Sequence, residues 1–239
     1  MITFIHKIPI LTTVLSGWFF IILYQHWNAK GRPSYLFWWM IGVLCYALGT
    51  LTESLVGIFG WSEPVFKAWY ILGALLGGFP LAQGSVYLLY NKKFATSLMI
   101  VIVAIILVTS VFVILSPVNY SLVEPTRLTG RVMEWKQVRL VTPFVNIYAF
   151  IFLVGGAVYS AYRYSKNSQF KARFTGNVFI AIGGLLPGIG GSFTKFGYTE
   201  VLYVTELIGI IFIYLGYQTI KRDKTISIYE AQLATQYKK

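Results

Sequence analysis

Residues 95–116 read ATSLMIVIVAIILVTSVFVILS. The run is 22 residues long and carries no charge. A helix needs roughly 20 mostly apolar residues to cross the hydrocarbon of a bilayer. Six further stretches of similar length and character lie near 8–25, 35–58, 66–90, 139–162, 174–194 and 200–220. Together they occupy most of the 239-residue chain. Composition agrees, with 56% of residues hydrophobic, 12% charged and a mean hydropathy of +0.66. Apolar runs of this length cannot all be buried inside a soluble chain of this size. A membrane strand would be about half as long and would alternate in polarity, which these segments do not. The expected fold is therefore all-α: a polytopic bundle of seven transmembrane helices over residues 1–220, with a short basic tail, 221–239.

The first apolar stretch is not followed by a small-residue cleavage site, since Gln25, His26, Trp27 and Asn28 come next. It reads as an uncleaved first helix rather than a signal peptide. The 19 residues after Ile220 are too few for a kinase, cyclase or DNA-binding domain.

The net charge of +12 raises the question of nucleic acid, and the placement of the charges answers it. They lie in loops and in the tail. On one side fall Lys30, Arg32, Lys92, Lys93, Arg163, Lys166, Lys171, Arg173, Lys221, Arg222, Lys224, Lys238 and Lys239. On the other fall Lys7, Lys67, Arg127, Arg131, Lys136, Arg139 and Lys195. The richer side faces the cytoplasm by the positive-inside rule, which predicts an external N-terminus and an internal C-terminus in a cell membrane. The expected partners are the bilayer and its anionic cytoplasmic headgroups, at about 1 kcal/mol per basic residue near the surface, and no nucleic acid. Trp27, Trp38 and Trp39 at one boundary and Trp61, Trp69 and Trp135 at the other fit interfacial aromatic belts, the alternative being a ligand cage of Trp61, Trp69 and Trp135.

Chemistry within the spans rests on two acids, Glu53 and Glu206. Ionisable groups are costly in a membrane and mark function by default. Each lies roughly 8–9 Å below the external surface at 1.5 Å rise per residue. Tyr46, Thr50 and Glu53 share a face at i, i+4, i+7, and Tyr203 and Glu206 are i, i+3. Lys67 and Tyr70, at the outer end of the third span, are placed to join them, with Lys67 as counter-charge. The expectation is an outward-facing polar pocket of Glu53, Glu206, Tyr46, Thr50, Lys67, Tyr70 and Tyr203. Gln83, Asn91, Asn146 and Asn177 are read as interhelical hydrogen-bonding residues. Pro80 and Pro187 sit mid-span and are candidate hinges, because proline removes a backbone donor.

Several activities are excluded. The two histidines, His6 and His26, both flank the first span, so no multi-histidine metal site or haem pair is expected. Cys45 is a lone thiol and reads as a small core residue. Without a nucleophile–base constellation or a phosphate-binding loop, no enzymatic activity and no cofactor are expected. The seventh span, Tyr203–Ile220, has no lysine for a retinal Schiff base.

Tyr46-Ala-Leu-Gly-Thr-Leu-Thr-Glu53, followed by Lys67-Ala-Trp-Tyr70-Ile-Leu-Gly73, resembles the second and third helices of bacterial seven-helix sensor modules found at the N-terminus of histidine kinases. The resemblance covers about 30 residues. It implies a receptor-like bundle with an external N-terminus. No signalling domain follows the seventh span here, so output would pass to a separate cytoplasmic partner reading the 164–173 loop and the tail.

An alternative is a small-solute or ion transporter. Ala74–Ser85 (ALLGGFPLAQGS) and Ala181–Ser192 (AIGGLLPGIGGS) match at Ala, Gly, Pro, Gly and Ser. An inverted repeat relating spans one to three with four to six would predict equivalent helix breaks at Pro80 and Pro187. A third reading is an assembly subunit, whose polar residues would face other chains.

Overall fold

The computed structural model describes residues 4–194 and 196–223. Lys195 and the tail from 224 onward, with Lys224, Lys238 and Lys239, lie outside the described residues. Among the described residues seven helices are long and apolar enough to span a membrane: α1 (Ile8–Ala29), α2 (Ser34–Phe59), α3 (Glu63–Leu89), α4 (Lys92–Leu115), α5 (Lys136–Ser165), α6 (Ser168–Thr194) and α7 (Thr199–Arg222). The bundle is all-α, and the β structure among the described residues is one isolated bridge, Val118 to Met133. Most helices overrun the apolar stretches by a few residues. Gln25, His26 and Asn28, for example, continue α1, because a helix satisfies its own backbone as it leaves the hydrocarbon.

Burial sorts the helices. α2 is the most enclosed, with 61% of its apolar window buried, and α4 the least, with 17%. α4 is also the most apolar span. A helix that faces lipid has no need of polar contacts, and α4 packs against only α3 and α5 among the closer pairs. α1 packs between α2 and α7, α3 against α2 and α5, and α5 against α6.

α6 and α7 form the closest pair. The cause is a set of glycines at seven-residue spacing on opposed faces. A Cβ placed on Gly176 would lie 2.9 Å from the Gly216 carbonyl oxygen, and one on Gly183 2.6 Å from that of Gly209. One on Gly190 would lie 2.8 Å from the Leu202 Cα. The two backbones therefore touch over three successive contacts. In lipid, where no hydrophobic force drives helices together, such approach provides the dispersion contact that holds them.

α3 is broken. It is α-helical over Glu63–Trp69, π-helical over Tyr70–Leu75, bends through 76–78, and resumes over Phe79–Leu89. Pro80 stands in the first turn of the resumed helix, where its missing N–H costs nothing. The break passes α2 closely, since a Cβ on Gly49 would be 3.1 Å from the Gly73 Cα. α6, in contrast, runs unbroken through Pro187. The Pro187 ring fits the space left by Gly209. α5 carries its own π-helical turn at Phe150–Gly155.

The polar residues of the lower half sort differently from one another. Gln83 is fully buried, donates to the Ala95 carbonyl at 2.9 Å and accepts from the Tyr148 hydroxyl at 2.6 Å. Asn91 caps α4 by accepting from the Phe94 amide, and Asn177 donates within its own helix to Arg173. Only Gln83 of these three therefore joins different helices. Tyr148→Phe leaves the Gln83 oxygen without that donor and should lower stability by about 1–3 kcal/mol. Unfolding in detergent measures it, and a Tyr148→Phe midpoint equal to wild type would show that the bond contributes nothing.

The segment between α4 and α5 folds back over its end of the bundle. Val118, Leu128, Val132 and Met133 bury against Val56, Phe66 and Tyr70. The Trp61 amide donates to the Pro125 carbonyl at 3.0 Å. Tyr120 donates to Glu63, and accepting that bond lets the carboxylate push the phenol's pKa up.

Candidate functional site

α2 brings three of the expected residues to one side by its 3.6-residue period. The Tyr46 hydroxyl donates to the Glu206 backbone carbonyl at 2.8 Å, tying α2 to α7. The Thr50 hydroxyl meets that of Thr13 on α1 at 2.9 Å. One turn on, Glu53 Oε1 accepts from the Trp69 indole Nε1 at 3.1 Å. Glu53 is 3% exposed. Its carboxyl group lies close enough to that of Glu206 for the two to interact directly. Tyr203, one turn before Glu206, is buried and within electrostatic reach of both acids.

The chemistry of that contact is constrained. Glu53 Oε2 and Glu206 Oε2 are both buried and have no donor among the described residues. A carboxylate only accepts, so a hydrogen bond between two carboxyl groups requires a proton on one of them. Two ionised carboxylates about 4 Å apart would repel by roughly 4 kcal/mol at an effective dielectric constant of 20. Lys67 does not relieve this. Its ammonium pairs with Glu63 at 2.6 Å and donates to the Ile114 carbonyl at 2.7 Å. The expected counter-charge is therefore directed to the α4 end and the headgroup region, where a lysine is better solvated. Tyr70 also points elsewhere, bonding to Thr142 of α5 at 2.8 Å.

The site is thus Glu53 and Glu206 with Tyr46, Thr50, Tyr203 and Trp69, and without Lys67 and Tyr70. Four of these, Tyr46, Thr50, Glu53 and Tyr203, are buried, while Trp69 and Glu206 are half-buried, so the group forms a polar seam between helices. Above it Arg127, from the segment between α4 and α5, pairs with Glu124 at 3.1 Å and with Glu200 near the start of α7 at 3.7 Å. The pair with Glu200 joins the covering segment to the helix that carries Glu206. Trp61 stacks on Phe66, and so does not join Trp69 at the acids. Trp69, expected in a belt or in a cage with Trp61 and Trp135, is the residue that the sequence did not group with the acids. Its belt position is a sufficient explanation of an indole at that depth, and only the packing of α3 on α2 turns its N–H toward Glu53.

The candidate hinges divide. Pro80 borders the break in α3, and Pro187 lies in a continuous helix. The two segments that echo one another in sequence therefore differ in conformation. Among the described residues no cluster of three or more His, Cys, Asp or Glu is placed to hold a metal. No protein-family profile, curated protein or solved structure matches this chain.

Proposed function

We propose that this multi-pass membrane protein is a receptor-like sensor whose input is the proton shared by Glu53 and Glu206. The observation that carries the reading is the approach of the half-buried Glu206 carboxyl to the buried Glu53 carboxyl, each with a buried Oε2 that no donor among the described residues reaches. Removing the shared proton adds repulsion on the order of 4 kcal/mol between α2 and α7. Differential stabilisation of that size shifts a two-state bundle by nearly a thousandfold. A ligand that donates to the pair, or replaces the proton, acts on the same balance.

The far end of α7 gives the change a route out. His26 of α1 bonds the Tyr217 hydroxyl at 2.7 Å, and Arg173 at the start of α6 pairs with Asp223 at 2.9 Å. Both contacts lie at the basic end of the bundle. Loop charge favours that end as cytoplasmic, so a separate partner would read the 164–173 loop there and the pair would lie toward the outside of a cell membrane.

Infrared difference spectroscopy across a pH step tests the input. The expected result is a protonated carboxylic-acid carbonyl band that disappears in Glu53→Gln, Glu206→Gln. A spectrum without such a band at any pH at which the protein is folded would end the proposal.

A transport reading has one observation in its favour, the break in α3 beside the acids. Discontinuous helices form solute sites in many transporters. The uninterrupted α6 weakens the 3+3 inverted repeat on which that reading was based.

A further inference from the structure

A groove of about 490 Å³ runs between α5 and α6 toward the 166–170 turn. Its volume falls in the range of about 300–1,000 Å³ typical of small-molecule sites. Its floor is built from small side chains, Val154, Ala161 and Ala181, and its walls from Val158, Tyr162 and Phe174. The surface inside is almost wholly apolar. Two adjacent antiparallel helices ordinarily close such a gap. Here they touch at Leu153 and Gly184, where an added Cβ would meet Leu153 at 3.0 Å, and the alanines beyond leave the space open.

Charge at the mouth is one-sided. Lys166 sits over the Tyr162 ring at 4.7 Å, Arg163 over the Tyr159 ring at 5.9 Å, and Lys171 opens the α-helical part of α6. Asp223, at the same end of the bundle, is engaged by Arg173. None of Arg163, Lys166 and Lys171 has an ion pair with an acid among the described residues. An apolar slot in the hydrocarbon, ending under cations at headgroup depth, is complementary to one chemical class. We infer that the groove binds an anionic phospholipid, with an acyl chain between Ala161 and Ala181 and the phosphate at Lys166 and Lys171.

Such a site differs from the general attraction of a basic surface to an anionic leaflet. A diffuse field depends on the lysines alone, whereas a site depends on the lysines and on the shape of the slot. The intact protein in phosphatidylcholine vesicles, with traces of spin-labelled phosphatidylglycerol or phosphatidylcholine, separates the two. In the wild type, phosphatidylglycerol should be immobilised in clear preference to phosphatidylcholine. Lys166→Gln and Lys171→Gln should each reduce that preference by up to about five-fold. Ala161→Leu, which fills the floor, should reduce it with every cation in place. Val158→Phe narrows the slot from its exposed wall and serves if Ala161→Leu fails to fold. Equal immobilisation of both lipids by the wild type would overturn the inference. So would a preference that responds to the lysines but not to folded Ala161→Leu or Val158→Phe, since that is the signature of surface charge without a site.

Discussion

Gly183→Leu should abolish the folded bundle. A Cβ at that position would stand 2.6 Å from the Gly209 carbonyl oxygen and 2.8 Å from the Ile213 amide nitrogen, and both are backbone atoms that no rotamer change can move. Relief requires α6 and α7 to separate along three contacts at once. The cost should exceed about 3 kcal/mol, the upper end of ordinary overpacking. Gly188→Leu is the matched control, one and a half turns along the same helix, where an added Cβ meets nothing within 4 Å. Size-exclusion profiles and thermal unfolding in one detergent should show Gly188→Leu close to wild type and Gly183→Leu aggregated or unfolded at low temperature. Equal behaviour of the two would mean that α6 and α7 do not approach to backbone contact.

The second large effect is expected at the acids. With Glu53→Gln and Glu206→Gln together, each amide can both donate and accept, so the contact survives with no proton to lose. Folding and insertion should be retained, while the repulsion of roughly 4 kcal/mol that deprotonation creates is removed. Spin labels at the exposed positions Ile58 on α2 and Val204 on α7 report the separation of the two helices. Their distance should change between mildly acidic and alkaline medium in the otherwise native protein and stay constant in the double variant. Glu53→Ala should behave differently again. It strands the Trp69 N–H and the Glu206 carboxyl, and should destabilise by about 1–3 kcal/mol. A pH-dependent distance that persists in the double Gln variant would assign the response to some other group.

Much of the architecture was legible because lipid leaves the chain few choices. Uncharged runs of 20 residues have one stable form there, and the number, order and class of the helices followed directly. The face carrying Tyr46, Thr50 and Glu53 was legible for the same reason, since a regular helix converts spacing into direction. Legibility failed where regularity failed. Lys67 and Tyr70 were placed by assuming that α3 is one straight helix packed with its outer end on the acids. Lys67 instead reaches Ile114 and Tyr70 reaches Thr142. The break after Trp69 was foreshadowed only by Gly77, Gly78 and Pro80, and Pro187 shows that a mid-span proline does not by itself produce one. The glycine contacts of α6 and α7 were half visible. Gly183 and Gly190 stand seven residues apart and so share a face of α6, but Gly176, Gly209 and Gly216 acquire meaning only when the antiparallel register is known. Which cation meets which acid depends on pairings between distant segments, as Arg127 with Glu200 illustrates, and helical period carries no information about those.

The π-helical turn at Tyr70–Leu75 sets the azimuth of everything on either side of it. A turn closed by i→i+5 bonds accommodates one residue more than its α-helical counterpart. The two halves of α3 therefore present faces that a uniform helix would not combine: Trp69 toward Glu53 above, Gln83 toward Tyr148 below. Excising a single residue from this turn would leave the bend at 76–78 in place and swing the half before it by about 100° relative to the half beyond. The indole would lose its carboxylate, or the amide its phenol, although every helix would still cross the membrane. One surplus residue thus acts as a phase plate in the middle of the span, and a polypeptide of identical hydrophobicity without it would be a different machine.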